Sequence, residues 1–193
     1  MNNINKITLF SDSIISYEDN NEWLNKTILE ELSSAKENNK ERTISNVGGY
    51  QVPGTNDKVF TFLAEKIGKC LQQFYPLHNI QLSLDEYWIN ENKKNNYNRL
   101  HIHPGSQFSG VYYVNAPENC GSIKFIRNDI SSQYLGLIEF FKDSDSYINY
   151  TFIPYQGLMI IFPSNLQHEV EPNLSDLPRI SIAFNISLKK TND

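Results

Sequence analysis

The chain has 193 residues and a formal net charge of −5, with 39% hydrophobic and 20% charged residues. These values are ordinary for a globular protein with a sizeable core. The basic residues are scattered along the chain, whereas nucleic-acid-binding proteins usually carry a basic patch, so the composition disfavours that class. The longest apolar runs, such as 158–162, are too short to span a bilayer, and the first ten residues lack the apolar segment of a secretory signal. We therefore expect a cytoplasmic protein, in a bacterium or a phage-infected host.

Two amphipathic helices are predicted in the first part of the chain. From Asn21 to about Ala35, apolar residues recur at four-residue spacing. A second helix is capped by Asn56 or Asp57 and ends before Pro76. Its predicted apolar face consists of Phe60, Leu63, Ile67, Leu71 and Phe74. Between the helices, the segment NVGGYQVPG predicts irregular backbone.

After Pro76 the apolar period changes to two, beginning with Ile80, Leu82 and Leu84, as is typical of half-buried strands. Further strands are predicted at 98–103, 109–115, 121–127, 134–141, 148–153, 157–162 and 178–188. Many short strands separated by turn residues indicate a β-sandwich or barrel. No linker rich in Gly, Pro or Ser divides the chain, so we expect a single domain over 1–193. It would comprise a helical N-terminal part, 1–77, and a β-core, 78–193.

Three histidines form a candidate metal site. If 98–103 is a strand, His101 and His103 point to the same face, because side chains alternate along a strand. Imidazole is a common ligand of first-row transition metals. His168 follows an apolar strand and a turn and is the best candidate for a third ligand. The alternative is a pair of surface histidines or hydrogen-bonded core histidines, because His-x-His is a short motif.

An arginine follows His168 after eleven residues. In the run PRISIAFNIS, one face carries Arg179, Ser181, Ala183 and Asn185, and the other carries only apolar residues. The planar guanidinium matches a carboxylate, and a serine adds a hydroxyl beside it. A dicarboxylate such as 2-oxoglutarate would fit, with one end on the metal and the other on Arg179 and Ser181. The alternative is a salt-bridged structural arginine at a sheet edge.

Together these residues resemble the 2-oxoglutarate/Fe(II) oxygenases of the double-stranded β-helix fold, and in particular a small branch found in bacteria and marine phages. The matching stretches are SNVGGYQ (45–51), LHIHPGSQFSGVYYV (100–114), GSIKF (121–125), GLMIIFPSNLQHEVEP (157–172) and RISIAFN (179–185). They cover most of the predicted β-core. The resemblance implies a mainly β, cupin-like jelly roll, the double-stranded β-helix, with the two N-terminal helices packed on it.

The resemblance also implies cofactors and roles. Fe(II) would be the metal and 2-oxoglutarate the co-substrate. His101 stands at the first ligand of the superfamily's metal motif, and His168 stands at the distal histidine. Arg179 and Ser181 stand where the remote carboxylate of 2-oxoglutarate binds. Tyr112 or Tyr113, on the strand after the histidine pair, would hydrogen-bond the same co-substrate.

One position departs from the superfamily. Where the usual triad has two histidines and a carboxylate, this chain has His103. Three-histidine iron sites that activate oxygen occur in thiol dioxygenases of the cupin class, so the change is compatible with oxygen chemistry. Metal binding by His103 itself rests on strand geometry alone.

The expected activity is hydroxylation of a substrate with release of succinate and CO₂. One alternative is a metal-binding cupin, a three-histidine dioxygenase or an isomerase, that does not use 2-oxoglutarate. Another is a non-catalytic β-sandwich protein of a phage. The substrate would be a small molecule or a protein side chain. We expect no membrane partner, and the sequence leaves the oligomeric state open, a homodimer included.

Overall fold

The computed structural model describes residues 12–38, 44–127 and 149–191. In these ranges the chain forms two helices, α1 (Glu22–Glu37) and α2 (Asp57–Gln72), and eleven strands. The strands are β1 (Ile15–Glu18), β2 (Asn46–Val47), β3 (Tyr50–Pro53), β4 (Ile80–Asn92), β5 (Tyr97–His101), β6 (Phe108–Asn115), β7 (Ile123–Ile126), β8 (Asn149–Phe152), β9 (Leu158–Pro163), β10 (Gln167–Val170) and β11 (Arg179–Lys190). The strand predicted at 134–141 lies outside the described residues.

The strands form two antiparallel sheets, as the mainly β prediction requires. Sheet A has the order β1-β9-β6-β11-β4-β3, and sheet B has the order β2-β5-β10-β7-β8. Three strands at sheet ends, β1, β2 and β3, come from the N-terminal part, 1–77, and they lie outside the two predicted helices. The prediction of irregular backbone over NVGGYQVPG was therefore wrong, because this segment pairs with β5 and then with β4. Gly48, with φ of +72°, makes the turn between the two pairings.

The two helices cover the outer face of sheet A. Each is capped by an asparagine: the Asn21 side chain accepts from the Leu24 amide, and that of Asn56, one of the two predicted caps of the second helix, accepts from the amides of Lys58 and Val59. The buried helix residues Leu24, Ile28, Leu32, Val59, Leu63, Ile67 and Leu71 form one core with the outward side chains of sheet A. Neither helix has the length and apolar character that crossing a membrane requires.

Phe74 does not belong to the apolar face of α2. The helix ends at Gln72, and Phe74 lies in the turn that follows, with 65% of its surface exposed. The segment leaves the helix before Pro76, since the residues preceding a proline disfavour helical backbone. The rest of the predicted face is buried or partly buried as expected.

A second core fills the space between the sheets. It contains Val111, Tyr113, Ile123, Phe125, Leu158, Ile160, Phe162 and Leu166. Neighbouring strand residues contribute to different cores: Tyr112 contacts the helix layer, whereas Tyr113 points between the sheets. The molecule therefore has three layers, with sheet A in the middle.

The buried helix layer gives a test of the single-domain organisation that we propose for the chain. Leu63→Ala removes a side chain with no exposed surface and should lower the free energy of unfolding by ~2–5 kcal/mol. The control is Leu29→Ala on α1, at a side chain 44% exposed, which should cost less than ~1 kcal/mol. If α1, α2 and the sheets form one domain, calorimetry will show a single transition shifted to lower temperature in Leu63→Ala. Separate transitions for helices and sheets would contradict the proposal.

Candidate metal and co-substrate site

The three histidines meet between the sheets. His168 on β10 is the direct register partner of His101, the last residue of β5. Their ring centroids are 4.2 Å apart, and the His103 ring lies 5.2 Å from each of them. The strand predicted over 98–103 ends two residues early, so His103 lies beyond it. The predicted alternation still holds, because Leu100 and Ile102 are exposed on the opposite side.

Hydrogen bonds fix which nitrogen each ring presents to the site. Nδ1 of His101 contacts the Arg99 carbonyl oxygen at 2.6 Å, and Nδ1 of His168 contacts that of Leu166 at 2.9 Å. A carbonyl only accepts, so each Nδ1 carries the proton and Nε2 has the free lone pair. One ligand atom from each of the three histidines lies within 4.8 Å of the others. That arrangement suits binding of one metal ion by three imidazoles.

Burial keeps these imidazoles neutral. Desolvation lowers the pKa of all three histidines, to about 4 for His103 and to about 3 for His168. For His103 and His168, the neighbouring His101 lowers the pKa further, because two imidazolium ions repel each other. Metal ligation requires the neutral ring, so the site is ready to bind a cation near neutral pH.

Arg179 is buried at the start of β11 with 1% of its surface exposed. Its Nη1 donates to the backbone carbonyl of Cys120, and to those of Gly121 at 3.1 Å and Glu171 at 3.3 Å. Its Nη2 has no hydrogen-bond partner among the described residues, and no carboxylate there forms an ion pair with it. β11 lies between β6 and β4, so the alternative of a salt-bridged arginine at a sheet edge is wrong.

The two predicted tyrosines have different surroundings. Tyr113 lines the same cavity as the three histidines, Arg179 and Ser181, and burial raises the pKa of its phenol. Tyr112 points to the helices, where its hydroxyl donates to the Asn25 side chain at 2.8 Å. The structure therefore does not bring Tyr112 to the cavity. Successive residues of β6 face opposite sides of the sheet, and both sides are buried, so the sequence did not distinguish them.

Strand register brings Arg179 and Ser181 to the cavity. Ser181 is paired with Tyr113 of β6 and with Asn90 of β4, and Arg179 is paired with Asn92. Period-two alternation then directs Arg179 and Ser181 toward sheet B, where the histidines lie, while Ile182 and Phe184 join the helix-side core.

Further polar residues line the cavity, for which no metal or co-substrate role was predicted. They are the amides Asn90, Asn92 and Asn98, together with Ser45. Trp88 stacks on His103, with ring centroids 5.6 Å apart and planes inclined by 23°. Trp88, Asn90 and Asn92 share one face of β4 because side chains alternate along a strand, but only the sheet register shows that this face meets the histidines.

The donor set fits a divalent cation together with an anionic ligand. Three neutral imidazoles supply lone pairs but no negative charge, and the described residues add no carboxylate to the cluster. The same cavity is lined by a buried guanidinium whose Nη2 has no partner within residues 12–38, 44–127 and 149–191. A dianion would compensate both centres, because burying an unpaired charge is costly.

Solved structures with the same fold include a prolyl-4-hydroxylase from Pseudomonas putida, at 12% identity and a TM-score of 0.62, covering 95% of each chain. A viral collagen prolyl hydroxylase from Paramecium Bursaria Chlorella virus-1, in complex with 2-oxoglutarate, has 14% identity and a TM-score of 0.59, covering 90% of this chain and 94% of that one. SnoK, an alpha-ketoglutarate-dependent carbocyclase of nogalamycin biosynthesis, has 10% identity and a TM-score of 0.66, covering 93% and 82%. At these identities the likeness establishes the fold, which is the predicted double-stranded β-helix.

A search of curated proteins finds no significant sequence match. By contrast, a family described as "Putative 2OG-Fe(II) oxygenase" matches residues 86–185, just over half of the chain. The matched segment runs from β4 to β11 and includes the three histidines, Arg179 and Ser181. The chain therefore belongs to this family of 2-oxoglutarate- and Fe(II)-dependent oxygenases, as the sequence resemblance indicated.

Proposed function

We propose that His101, His103 and His168 hold the iron of this oxygenase, and that Arg179 and Ser181 hold the remote carboxylate of 2-oxoglutarate. The observation that carries the assignment is that Arg179 lines the same cavity as the three histidines, while its buried Nη2 has no hydrogen-bond partner in the described part of the chain. A carboxylate there would complete the hydrogen bonding of the guanidinium and neutralise its charge. Tyr113 would support the co-substrate beside Ser181, its neighbour across the sheet.

The proposed reaction is hydroxylation of a C–H bond. Bound iron and 2-oxoglutarate supply the oxidising chemistry, in which 2-oxoglutarate, O₂ and the substrate give succinate, CO₂ and the alcohol. The protein residues bind the metal and the co-substrate, orient the substrate and exclude water from the site. Phe162, Val111 and Ile123 provide apolar walls around the polar groups of the cavity, which strengthens the electrostatic attraction of Arg179 for a carboxylate.

The substrate that the cavity favours is polar and uncharged. Among the described lining residues, Arg179 is the one permanently charged side chain, and the remote carboxylate of 2-oxoglutarate would pair with it. The other polar groups, from Ser45, Asn90, Asn92 and Asn98, donate and accept hydrogen bonds without selecting for charge. A small molecule or a peptide side chain of this character fits. Similar folds include prolyl hydroxylases and HygX, whose structure was solved with hygromycin B bound.

The two alternative functions are less well supported. A cupin that does not use 2-oxoglutarate has no need of a buried guanidinium whose Nη2 lacks a partner among the residues described. A non-catalytic β-sandwich has no need of three convergent imidazoles. His103 in place of a carboxylate is the feature shared with three-histidine cupins. A measurement of 2-oxoglutarate binding distinguishes the oxygenase from both alternatives.

The first prediction concerns the metal ligands. Saturating Fe(II) under anaerobic conditions should raise the melting temperature of the protein, by roughly 5–10 °C at a metal concentration ~100 times the dissociation constant. His168→Ala should abolish most of this shift. The matched control is His78→Ala, at an exposed turn residue outside the cluster, which should keep the wild-type shift. An equal shift in His168→Ala would contradict the ligand assignment.

The second prediction concerns the co-substrate. Adding 2-oxoglutarate to the anaerobic Fe(II) protein should produce a visible charge-transfer band, whose titration gives the dissociation constant. Arg179→Ala should raise that constant at least about 30-fold, equivalent to ~2 kcal/mol, because a buried charged hydrogen bond is lost. Fe(II) affinity measured without 2-oxoglutarate should stay the same.

The control for this experiment is Arg99→Ala, which removes a positive charge from an exposed side chain on β5. It should leave 2-oxoglutarate affinity unchanged. Absence of the band in iron-loaded wild-type protein would contradict the co-substrate site and favour the cupin reading. Equal loss of iron and 2-oxoglutarate in Arg179→Ala would show that Arg179 supports the fold rather than the ligand.

A further inference from the structure

His103 is held differently from the other two histidines. His101 and His168 lie on paired strands, and the Nδ1 of each donates to a carbonyl two residues earlier. His103 lies two residues beyond the end of β5, so no strand pairing fixes its backbone. Its Nδ1 contacts a side chain of another strand, Oδ1 of Asn185 on β11, at 2.8 Å.

The orientation of the Asn185 amide is chemically determined. Its Nδ2 lies 3.2 Å from Oε1 of Glu86, and an ionised carboxylate only accepts, so the NH₂ group faces Glu86. The oxygen Oδ1 therefore faces His103, and it also accepts from the Ser109 hydroxyl at 2.9 Å. Both lone pairs of Oδ1 are used, which makes His103 Nδ1 the donor and leaves its Nε2 free for a metal.

The same network also holds the backbone of His103. The His103 amide donates to the carbonyl of Ser164 at 2.9 Å. The hydroxyls of Ser164 and Ser109 are 2.7 Å apart, and since Ser109 donates to Asn185, Ser164 donates to Ser109. The ring of hydrogen bonds closes from His103 through Ser164, Ser109 and Asn185 back to His103. Ser109 and Ser164 are buried, so water competes little with these bonds.

We propose that Asn185 is a positioning residue that sets the tautomer and the ring orientation of His103 for metal binding. The closed hydrogen-bond network through Ser164, Ser109 and Asn185 fixes the position of His103, as strand pairing fixes the positions of His101 and His168. This inference rests on the proposed function, since it assumes that His103 is a ligand. Partners of this kind typically change metal affinity 10- to 100-fold when they are removed.

Three variants test the inference. Asn185→Leu keeps approximately the side-chain volume and removes the acceptor for His103. Asn185→Asp combined with Glu86→Gln exchanges the amide and the carboxylate. The Asp carboxylate accepts from His103, and the Gln amide at position 86 donates to the same carboxylate. The matched control is Asn25→Leu on α1, which removes a buried amide bonded to Tyr112 and Asn20 on the helix side of sheet A.

Two measurements report on His103 itself. Long-range ¹H–¹⁵N NMR of the imidazoles in the metal-free protein identifies which nitrogen carries the proton. We expect the Nδ1–H form at His103 in wild type, in Asn25→Leu and in the Asp/Gln double variant, and a mixture with the Nε2–H form in Asn185→Leu. Co(II) titration should give a dissociation constant about 10- to 100-fold weaker for Asn185→Leu, and within about threefold of wild type for the double variant.

The outcomes separate this inference from the proposed function. His103→Ala is titrated with Co(II) alongside the other variants. If His103→Ala loses affinity while Asn185→Leu keeps the wild-type tautomer and affinity, the positioning role is wrong and the ligand assignment stands. Failure of the double variant to restore tautomer and affinity would also overturn the positioning role. If His103→Ala binds Co(II) as tightly as wild type, the three-histidine assignment fails and the positioning role fails with it.

Discussion

The site depends on burying the Arg179 guanidinium without a carboxylate partner in the described part of the chain. Three backbone carbonyls satisfy Nη1, and Nη2 has no hydrogen-bond partner among the described residues, although Arg179 lines the polar cavity. Burial lowers the pKa of Arg179, yet a guanidinium stays protonated in proteins, so a permanent positive charge remains inside the molecule. Such a charge is costly unless it is paired. The rest of the cavity is consistent with an anionic ligand that pairs with it and also reaches the metal.

The three-layer fold positions the residues of this cavity. The helices bury the outer face of sheet A, so the inner face is free to carry polar groups without loss of the main apolar core. Antiparallel register then places Arg179, Ser181 and Tyr113 opposite the paired histidines of sheet B. Sites built on paired strands are more precise than sites on loops. His103 is the exception, because it lies beyond the end of β5. The hydrogen bonds that link it to Asn185 of β11 compensate for the missing strand pairing.

Much of this arrangement could be predicted from the sequence because it follows from local periodicity. The Asn56 cap, the alternating face of β11 and the histidine pair all depend on residues close together in the chain. The remaining features depend on long-range pairing. The segment around Gly48 forms strands only because β4 and β5 are there to pair with it, and Tyr112 and Tyr113 are distinguished only by which core each strand face meets. Asn185 shared a predicted face with Arg179, but its contact with His103 required the three-dimensional register.

We propose that three neutral imidazoles and Arg179 together hold iron and 2-oxoglutarate. In this arrangement the negative charge of the centre would lie on the co-substrate rather than on a protein carboxylate, because His103 would take the place of the usual acidic ligand. The most direct test is a crystal structure of the anaerobic complex with Fe(II) and 2-oxoglutarate, using anomalous scattering to locate the metal. We expect iron bound by Nε2 of His101, His103 and His168, and the remote carboxylate of 2-oxoglutarate on Arg179 Nη2. Iron bound without His103, or 2-oxoglutarate bound away from Arg179, would contradict the proposal.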